Sequence, residues 1–296
     1  MTLQYCGFIA ILGEPNAGKS TLVNQIVGSK VSIVSPKVQT TRRRILGIAI
    51  RDDTQLILID TPGIFAPSRQ LEKAMVKTAY ASSQEADCVV LLVDASRKKF
   101  EPSHGIIKKL GDRPLILVLN KVDLIDPAKL LKISADFAKY PQITDTFMIS
   151  ALTGDGVEDL THHLCKKMPQ GPWHYPEDQI TDLPMRLWAA EITREQLVLQ
   201  LRHELPYETY VETEKWEQFD NGSVKISQAI VVARETQKPI ILGKKGQQIK
   251  KISMNARLEM EHLLGHPVHL LLFVKVTDNW MDKASIWHEA GIVSEG

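Results

Sequence analysis

Cysteine is scarce in this chain. Cys6, Cys88 and Cys165 are an odd number at distant positions, with no C-x-x-C pair. Such spacing offers neither a disulfide framework nor a zinc site and fits a reducing cytosol. Long apolar runs are missing too, and none approaches the roughly 20 residues that a membrane span requires. The start carries no basic-then-apolar leader, so a cytoplasmic protein is expected. Charge of one sign is not in excess, since 36 Lys and Arg face 35 Asp and Glu over 296 residues. No internal repeat, low-complexity tract or Ser-His-Asp order is present. The nine histidines are scattered, and His162-His163 has no carboxylate or cysteine at ligand spacing.

The near-neutral total hides a polarised second half. Residues 177–220 hold 11 acidic and 4 basic side chains, whereas 225–275 hold 9 basic and 3 acidic. Hydrophobic content of 44% and charge of 24% are ordinary for a globular protein. The length suits two domains, each able to bury its own core.

The chain is organised around Gly13-Glu14-Pro15-Asn16-Ala17-Gly18-Lys19-Ser20-Thr21. An apolar, strand-like run (8–12) precedes it and a helical stretch (22–27) follows, giving strand, glycine loop and helix around G-x-x-x-x-G-K-S. Glycines let successive N–H groups turn inward on a phosphate. The following helix adds the positive end of its dipole. Lys19 can then reach the outer phosphates and the Ser20 hydroxyl can ligate Mg²⁺. At average usage, with Gly at about 7%, a chain of this length matches by accident on the order of once in a hundred.

Short apolar runs at 45–50, 55–60, 88–93, 115–119 and 146–149 alternate with helical stretches near 71–83, 103–110, 128–139 and 157–167. That alternation indicates a doubly wound, mostly parallel sheet covered on both faces, with ligand at the carboxyl ends of the strands. Asp60-Thr61-Pro62-Gly63 ends one such strand. Its carboxylate can hold Mg²⁺, and the Gly63 N–H can meet a γ-phosphate, with Ile64 next in line. Asn120-Lys121-Val122-Asp123 follows another. A carboxylate at Asp123 accepts both guanine N1–H and N2–H, donors that adenine lacks; two charge-assisted bonds discriminate by roughly two to four powers of ten. Ser150-Ala151 would close the base pocket with backbone N–H groups. Gln39-Thr40-Thr41-Arg42 lies where a switch threonine must sense γ-phosphate and metal. Thr41 is the preferred metal ligand, with Thr40 close behind, beside Ser20 and Asp60. Lys19, Thr41 and Gly63 are the expected catalytic set.

In this order the five elements resemble the translation-factor-related class of GTPases, in its Era-type branch, over roughly the first 168 residues. The resemblance implies a P-loop NTPase domain that binds GTP and GDP with Mg²⁺. Ile64 stands where small signalling GTPases carry a water-orienting glutamine, which it cannot replace. In some members of the branch a potassium ion held by the loop asparagine, here Asn16, takes the place of an arginine finger. Slow unassisted hydrolysis, faster in K⁺ than in Na⁺, is the expectation.

Three prolines and a glycine within residues 169–176 mark a linker, assigned to 169–182. Beyond it, Asp182 is expected to cap a helix with Pro184 in its first turn, carrying Trp188, Ile192 and Leu199 inward. A hairpin follows about Asp220-Asn221-Gly222, with Val224, Ile226, Ile230 and Val232 on one face. Gly243-Lys244-Lys245-Gly246 opens a helix bearing Ile249, Lys250, Lys251 and Arg257, and a last strand spans 268–276. The order α-β-β-α-α-β suits an α+β K-homology fold of type II over 183–296, ending in a short helix after Trp280. There G-x-x-G lets an RNA backbone approach, the lysines meet phosphates, and Ile249 with its apolar surroundings holds bases.

A GTPase domain at 1–168, the linker and this second domain together are similar to the Era family. The likeness includes Tyr175-Pro176-Glu177-Asp178 and Trp280. It implies an assembly GTPase that binds the 3′ end of small-subunit ribosomal RNA and the 30S subunit; a monomer is expected, the sequence leaving oligomeric state open. It also implies peripheral association with the inner membrane, for which no basic amphipathic helix argues independently. No small-molecule substrate other than GTP is expected. The rival readings are an RNA-binding assembly factor whose nucleotide is structural, a P-loop ATPase or kinase, and another RNA-processing GTPase. The guanine-reading Asp123 argues against the ATPase, and the lack of a cysteine nucleophile or cofactor motif against RNA modification.

Overall fold

The protein, seen in a computed structural model, is described over residues 3–37, 41–283 and 286–287. Gln39 and Thr40 lie outside these residues, as does most of the helix expected beyond Trp280. The chain divides into two compact units, residues 1–34 with 41–182 and residues 35–40 with 183–296. Among the described residues no helix is long and apolar enough to cross a membrane.

The first unit runs β1 (Tyr5–Gly13), α1 (Lys19–Val27), β2 (Ile45–Arg51), β3 (Thr54–Asp60), α2 (Gln70–Glu85), β4 (Cys88–Asp94), α3 (Glu101–Leu110), β5 (Leu115–Asn120), α4 (Pro127–Phe137), β6 (Ile143–Ile149) and α5 (Val157–Lys167). Its six strands lie in the order β2-β3-β1-β4-β5-β6. All neighbours are parallel except β2, which pairs antiparallel with β3 from Ile45↔Asp60 to Arg51↔Thr54. The reversal is made by a two-residue turn in which Asp52 adopts a left-handed φ of 52°, the conformation that matches hairpin twist. Central strands are buried on both faces, which is why β3, β4 and β5 read as unbroken apolar runs. β6 instead alternates half-buried and exposed residues, as an edge strand does, so its true start at Ile143 is not marked by a continuous apolar run.

One apolar cluster joins Ile9, Ile11, Leu56, Leu58, Val90 and Val118 to Leu22, Val23 and Ile26 of α1 and Leu160 and Leu164 of α5. The opposite face packs Leu91, Val93, Leu117 and Leu119 against Val76, Ile106, Ile107, Leu130 and Phe137 of α2, α3 and α4. Each such side chain removed from water is worth about 1.5–3 kcal/mol, enough to hold the loops at the carboxyl ends in fixed register.

The residues after α5 belong to this unit and are bonded to its edge. Ile48 N donates to Ile180 O at 2.9 Å and Leu46 N to the Asp182 carboxylate at 3.1 Å. Asp182 therefore does not cap the next helix: that helix begins at Met185 after Pro184, and no side chain caps it. Gln55, fully buried in β3, accepts from the N–H groups of His174 and Tyr175 at 2.9 and 3.1 Å and donates to Tyr175 O at 2.8 Å. Trp173 and Tyr175 pack against the apolar cluster of Cys6, Ala10, Ile57 and Ile59.

The second unit runs α6 (Met185–Gln200), β7 (Thr209–Gln218), β8 (Val224–Val232), α7 (Lys238–Leu242), α8 (Gln247–Leu264) and β9 (Val268–Val276). Its sheet has the order β7-β8-β9, with β7 antiparallel and β9 parallel to β8. Ala190, Leu197, Leu201, Ile230, Val232, Ile241, Ile252 and Val274 form the core. Trp188 and Ile192 are buried as expected, but Leu199 is 46% exposed. The buried face of α6 carries polar groups as well: Thr193 donates to Gln228 at 2.6 Å, and Glu191 and Arg194 pair at 2.5 Å. Apolar periodicity alone therefore misplaces its last turn.

Gln55→Ala leaves the His174 and Tyr175 N–H groups without their acceptor, at a cost of about 1–3 kcal/mol for each buried donor that water does not reach. The expected result is faster chymotryptic cleavage after Trp173 while the core helices stay protected; unchanged cleavage would show that the clip adds nothing.

Candidate nucleotide site and nucleic-acid groove

Strand register places the motif residues level with one another. Ile11 pairs with Asp60, Asp94 with Asn120, and Asn120 with Ile149. The loops leaving β1, β3, β4, β5 and β6 therefore meet at one end of the sheet, where doubly wound folds hold ligands. The glycine loop enters α1 through Gly18, whose φ is 98° and whose Cβ position would lie 2.3 Å from the Asn120 amide nitrogen. No other residue fits there. Gly63 is constrained differently, since a Cβ would lie 2.8 Å from the Pro15 backbone.

Asn120, only 2% exposed, ties three loops together. Its Nδ2 donates to Ala17 O at 2.7 Å, and its Oδ1 accepts from Ala151 N at 2.9 Å. The phosphate loop, the Asn120-Lys121-Val122-Asp123 turn and the Ser150-Ala151 turn are thus held by one side chain. Ser150 is buried, and its hydroxyl accepts from Thr153 N at 3.2 Å. Asp123 is exposed, while Lys121 adopts a left-handed φ of 66° and sends Nζ 2.6 Å from Asp94.

At the other end of the site Lys19 is buried, and Nζ donates to Gly13 O and Glu14 O at 3.2 and 3.0 Å. Burial lowers its pKa to about 8, with Arg97 pushing the same way and Asp60 and Glu14 opposing. Ser20 Oγ lies 2.7 Å from Asp60 Oδ2 and 2.9 Å from Thr41 Oγ1, and Thr41 Oγ1 lies 3.3 Å from the same carboxylate oxygen. Asp60 is fully buried. Burial raises its pKa against the Ser20 hydroxyl and the Lys19 charge. Among the described residues its Oδ1 has no hydrogen-bond partner. Two hydroxyls and a buried carboxylate converging on one point, with a carboxylate oxygen to spare, suit a small hard cation that takes oxygen ligands.

Not every motif residue faces this hollow. Thr61 turns its hydroxyl to Ile11 O at 2.7 Å and so braces β3 against β1. Ile64 is buried in the apolar cluster under α2, with its N–H on Gly13 O at 3.0 Å. It cannot orient a water. Sequence reasoning set Glu14 among the phosphate-binding residues but missed Arg97 and Ser103, which its side chain meets behind the loop. Glu14 is buried, accepting from Ser103 Oγ at 2.6 Å and from Arg97 Nη1. Arg97 Nη2 donates to Pro15 O at 2.6 Å. The available signal was position: Asp94-Ala95-Ser96-Arg97 leaves the carboxyl end of a central strand.

In the second unit Gly243-Lys244-Lys245-Gly246 links α7 to α8. Both lysines are exposed, and Lys245 adopts a left-handed φ of 53° between glycines at 69° and 75°. Beside the loop, Ile249, Lys250, Ser253, Met254 and Arg257 of α8 face Leu270 and Leu272 of β9 across a groove of about 370 Å³. Arg257 is paired with Glu261 at 2.7 Å, Lys250 lines the groove exposed, and the exposed Lys244 and Lys245 lie in the loop beside it. The surface joins exposed charge to an apolar floor, the combination that takes a single strand by its phosphates and bases.

Comparisons with known proteins agree with both halves. A family described as 50S ribosome-binding GTPase matches residues 8–121, and a KH domain family matches 204–281. The GTPase Era of Sinorhizobium medicae is 53% identical over 97% of this chain and 93% of its own length, and that of Brucella suis 50% identical over 97% and 93%. Among solved structures, Era in complex with MgGDPNP and nucleotides 1506–1542 of 16S ribosomal RNA superposes with a TM-score of 0.91 at 41% identity, covering 98% of this chain and 100% of its own. A single-residue variant of Aquifex aeolicus Era bound to GDP·AlF4⁻ gives 0.92 at 40% identity, with 98% and 100% coverage.

Asn120→Ala removes the shared tie of three loops. Each lost bond is worth about 0.5–1.5 kcal/mol, and more if Ala17 O stays buried. Dissociation of a fluorescent GDP analogue is expected to quicken about 10- to 100-fold while the thermal midpoint of the second unit is unmoved; an unchanged off-rate would show the loops to be held by other means.

Proposed function

The chain belongs to the Era family of GTPases, and from that premise we propose that it is a GTP-driven switch that binds the 3′ end of small-subunit ribosomal RNA and assists assembly of the 30S subunit. The observation that carries the reading is the meeting of Ser20, Thr41 and Asp60 at one point. Thr41 comes from a connecting segment, not from a strand or helix, and its bond to Asp60 depends on what occupies that point.

The roles we assign rest on the motif chemistry. Backbone N–H groups of residues 13–21 cradle the phosphates, Lys19 meets the outer ones, and Gly63 N–H approaches the γ-phosphate. Asn120 and Ser150-Ala151 shape the base pocket, and the exposed Asp123 reads guanine. Ser20, Thr41 and Asp60 hold Mg²⁺, which neutralises charge on the phosphates when bound. Asn16 is the residue we assign to K⁺, on the family resemblance. The protein acts as a cytoplasmic monomer, and its peripheral contact with the inner membrane rests on the resemblance alone. The matched GTPase description speaks of the 50S particle, but it covers only residues 8–121. The second unit and the RNA in the related complex favour the small subunit.

A 3′-terminal fragment of small-subunit ribosomal RNA, titrated in the presence of GDP, GTP or a non-hydrolysable analogue, tests the switch. Affinity should differ between the GDP and triphosphate states. Identical binding in all three would leave nucleotide as a structural ligand. Lys244→Asp with Lys245→Asp should abolish RNA binding with GTP affinity within about twofold, because the phosphate contacts lie in the other unit. Asp123→Asn should weaken GTP binding by roughly two to four powers of ten and prefer xanthine nucleotide, whose C2 carbonyl accepts from the new amide. Retained guanine preference would overturn the assignment.

A further inference from the structure

One peptide of the phosphate loop is gripped from behind by a cation. Arg97 Nη2 donates to Pro15 O at 2.6 Å, and Arg97 Nη1 donates to the Glu14 carboxylate. Arg97 Nε lies 3.8 Å from Asp94, whose other charged neighbour is Lys121 at 2.6 Å. Glu14, only 7% exposed, is also held by Ser103 of α3 at 2.6 Å. The guanidinium is therefore fixed by two carboxylates and has one neutral acceptor, the Pro15 carbonyl. The residue next to that carbonyl, Asn16, has a left-handed φ of 63°, a conformation that non-glycine residues seldom hold without support.

A trans peptide is planar, so the Asn16 N–H points opposite to the Pro15 carbonyl, away from Arg97. A cation on the carbonyl oxygen draws charge along the amide and makes that N–H a stronger donor. In a loose phosphoryl-transfer transition state, negative charge grows on the leaving oxygen, the one between the β- and γ-phosphates. Donors fixed in advance on growing charge are what accelerate such a step. The arrangement also needs no mobile finger, and Ile64 supplies no water-orienting group.

We infer that Arg97 is a positioning residue for GTP hydrolysis: through the Pro15 carbonyl it fixes and polarises the Asn16 N–H toward the leaving oxygen of GTP. Glu14 and Asp94 hold the guanidinium at that carbonyl, and Asp94 connects the same arginine to Lys121 of the guanine motif. A plain brace of the loop would act on GDP and GTP alike. Polarisation acts most on the state in which the leaving oxygen is gaining charge.

Removing Arg97 alone would leave Glu14 buried beside phosphates, so the decisive variant exchanges the pair, Glu14→Gln with Arg97→Gln, which removes both charges and leaves a neutral amide at each position. Single-turnover hydrolysis of GTP and affinities for GDP and a non-hydrolysable GTP analogue are measured in saturating Mg²⁺. The expected result is a rate lowered about tenfold or more with GDP affinity within about threefold, since the lost interaction strengthens in the transition state. Arg97→Lys, which keeps a charged donor for Pro15, should recover most of that rate. An unchanged rate in the paired variant, or GDP affinity falling in step with the rate, would overturn the proposal. Should the paired variant melt as unfolded, Arg97→Lys against Arg97→Gln decides on rate relative to GDP affinity, because an unpaired Glu14 carboxylate would weaken GDP and GTP alike: a glutamine variant slower than the lysine variant at equal GDP affinity supports the inference, and equal rates, or rates that fall only in step with GDP affinity, refute it.

Discussion

The first unit depends on one side-chain amide. Asn120 gives its donor to Ala17 O and its acceptor to Ala151 N. An amide is the smallest side chain that can do both at once, since a carboxylate lacks the donor and a hydroxyl the reach. Because the group is buried, each partner would be left unsatisfied without it. This is also why Gly18 admits no side chain, as its missing Cβ is the space the amide occupies. Motifs that look independent along the chain are thus parts of one packed object.

Around that tie the charges are arranged so that none is buried alone. Lys19 faces Asp60 and Glu14, Glu14 faces Arg97, and Asp94 sits between Arg97 and Lys121. Burying an unpaired charge is far costlier than any single hydrogen bond is worth. The lowered pKa of Lys19 and the raised pKa of Asp60 both record desolvation as the largest influence. Each group is held in a state that a polyanion and a cation would relieve.

Much of this was legible in the chain. The glycine loop, the aspartate at the end of β3 and the asparagine at the end of β5 could be found because their chemistry is set by neighbours a few residues apart. So could the glycine-lysine loop between α7 and α8. What stayed hidden depends on contacts between distant segments: Arg97 meets Pro15 across 82 positions, and Gln55 meets Tyr175 across 120. Asp182 was misread for a related reason. An aspartate two residues before a proline has the look of a helix cap, and only the sheet edge at Leu46 shows that its carboxylate is already engaged. Leu199 faces outward because α6 buries polar residues along with apolar ones, which periodicity in hydrophobicity cannot register.

The edge strand β2 gives these details a common direction. Its first residue, Ile45, pairs with Asp60, so one end of the strand adjoins the carboxylate that Ser20 and Thr41 share. Its free edge carries Ile180 and Asp182, the last residues of the first unit. A strand hydrogen-bonded on both sides moves as a piece or not at all, because sliding it by one residue would turn every side chain to the wrong face. Any rearrangement of residues 41–44 that accompanies a change at Asp60 must therefore either stop at Ile45 or carry the 170–182 segment with it. Gln55 adds weight to the second course, since its three bonds to His174 and Tyr175 bind that segment to β3, the strand that ends in Asp60 itself. Residues 174–182 are thus held to two strands of the sheet by side-chain and backbone hydrogen bonds together, a firmer hold than the proline-rich composition of the segment suggests.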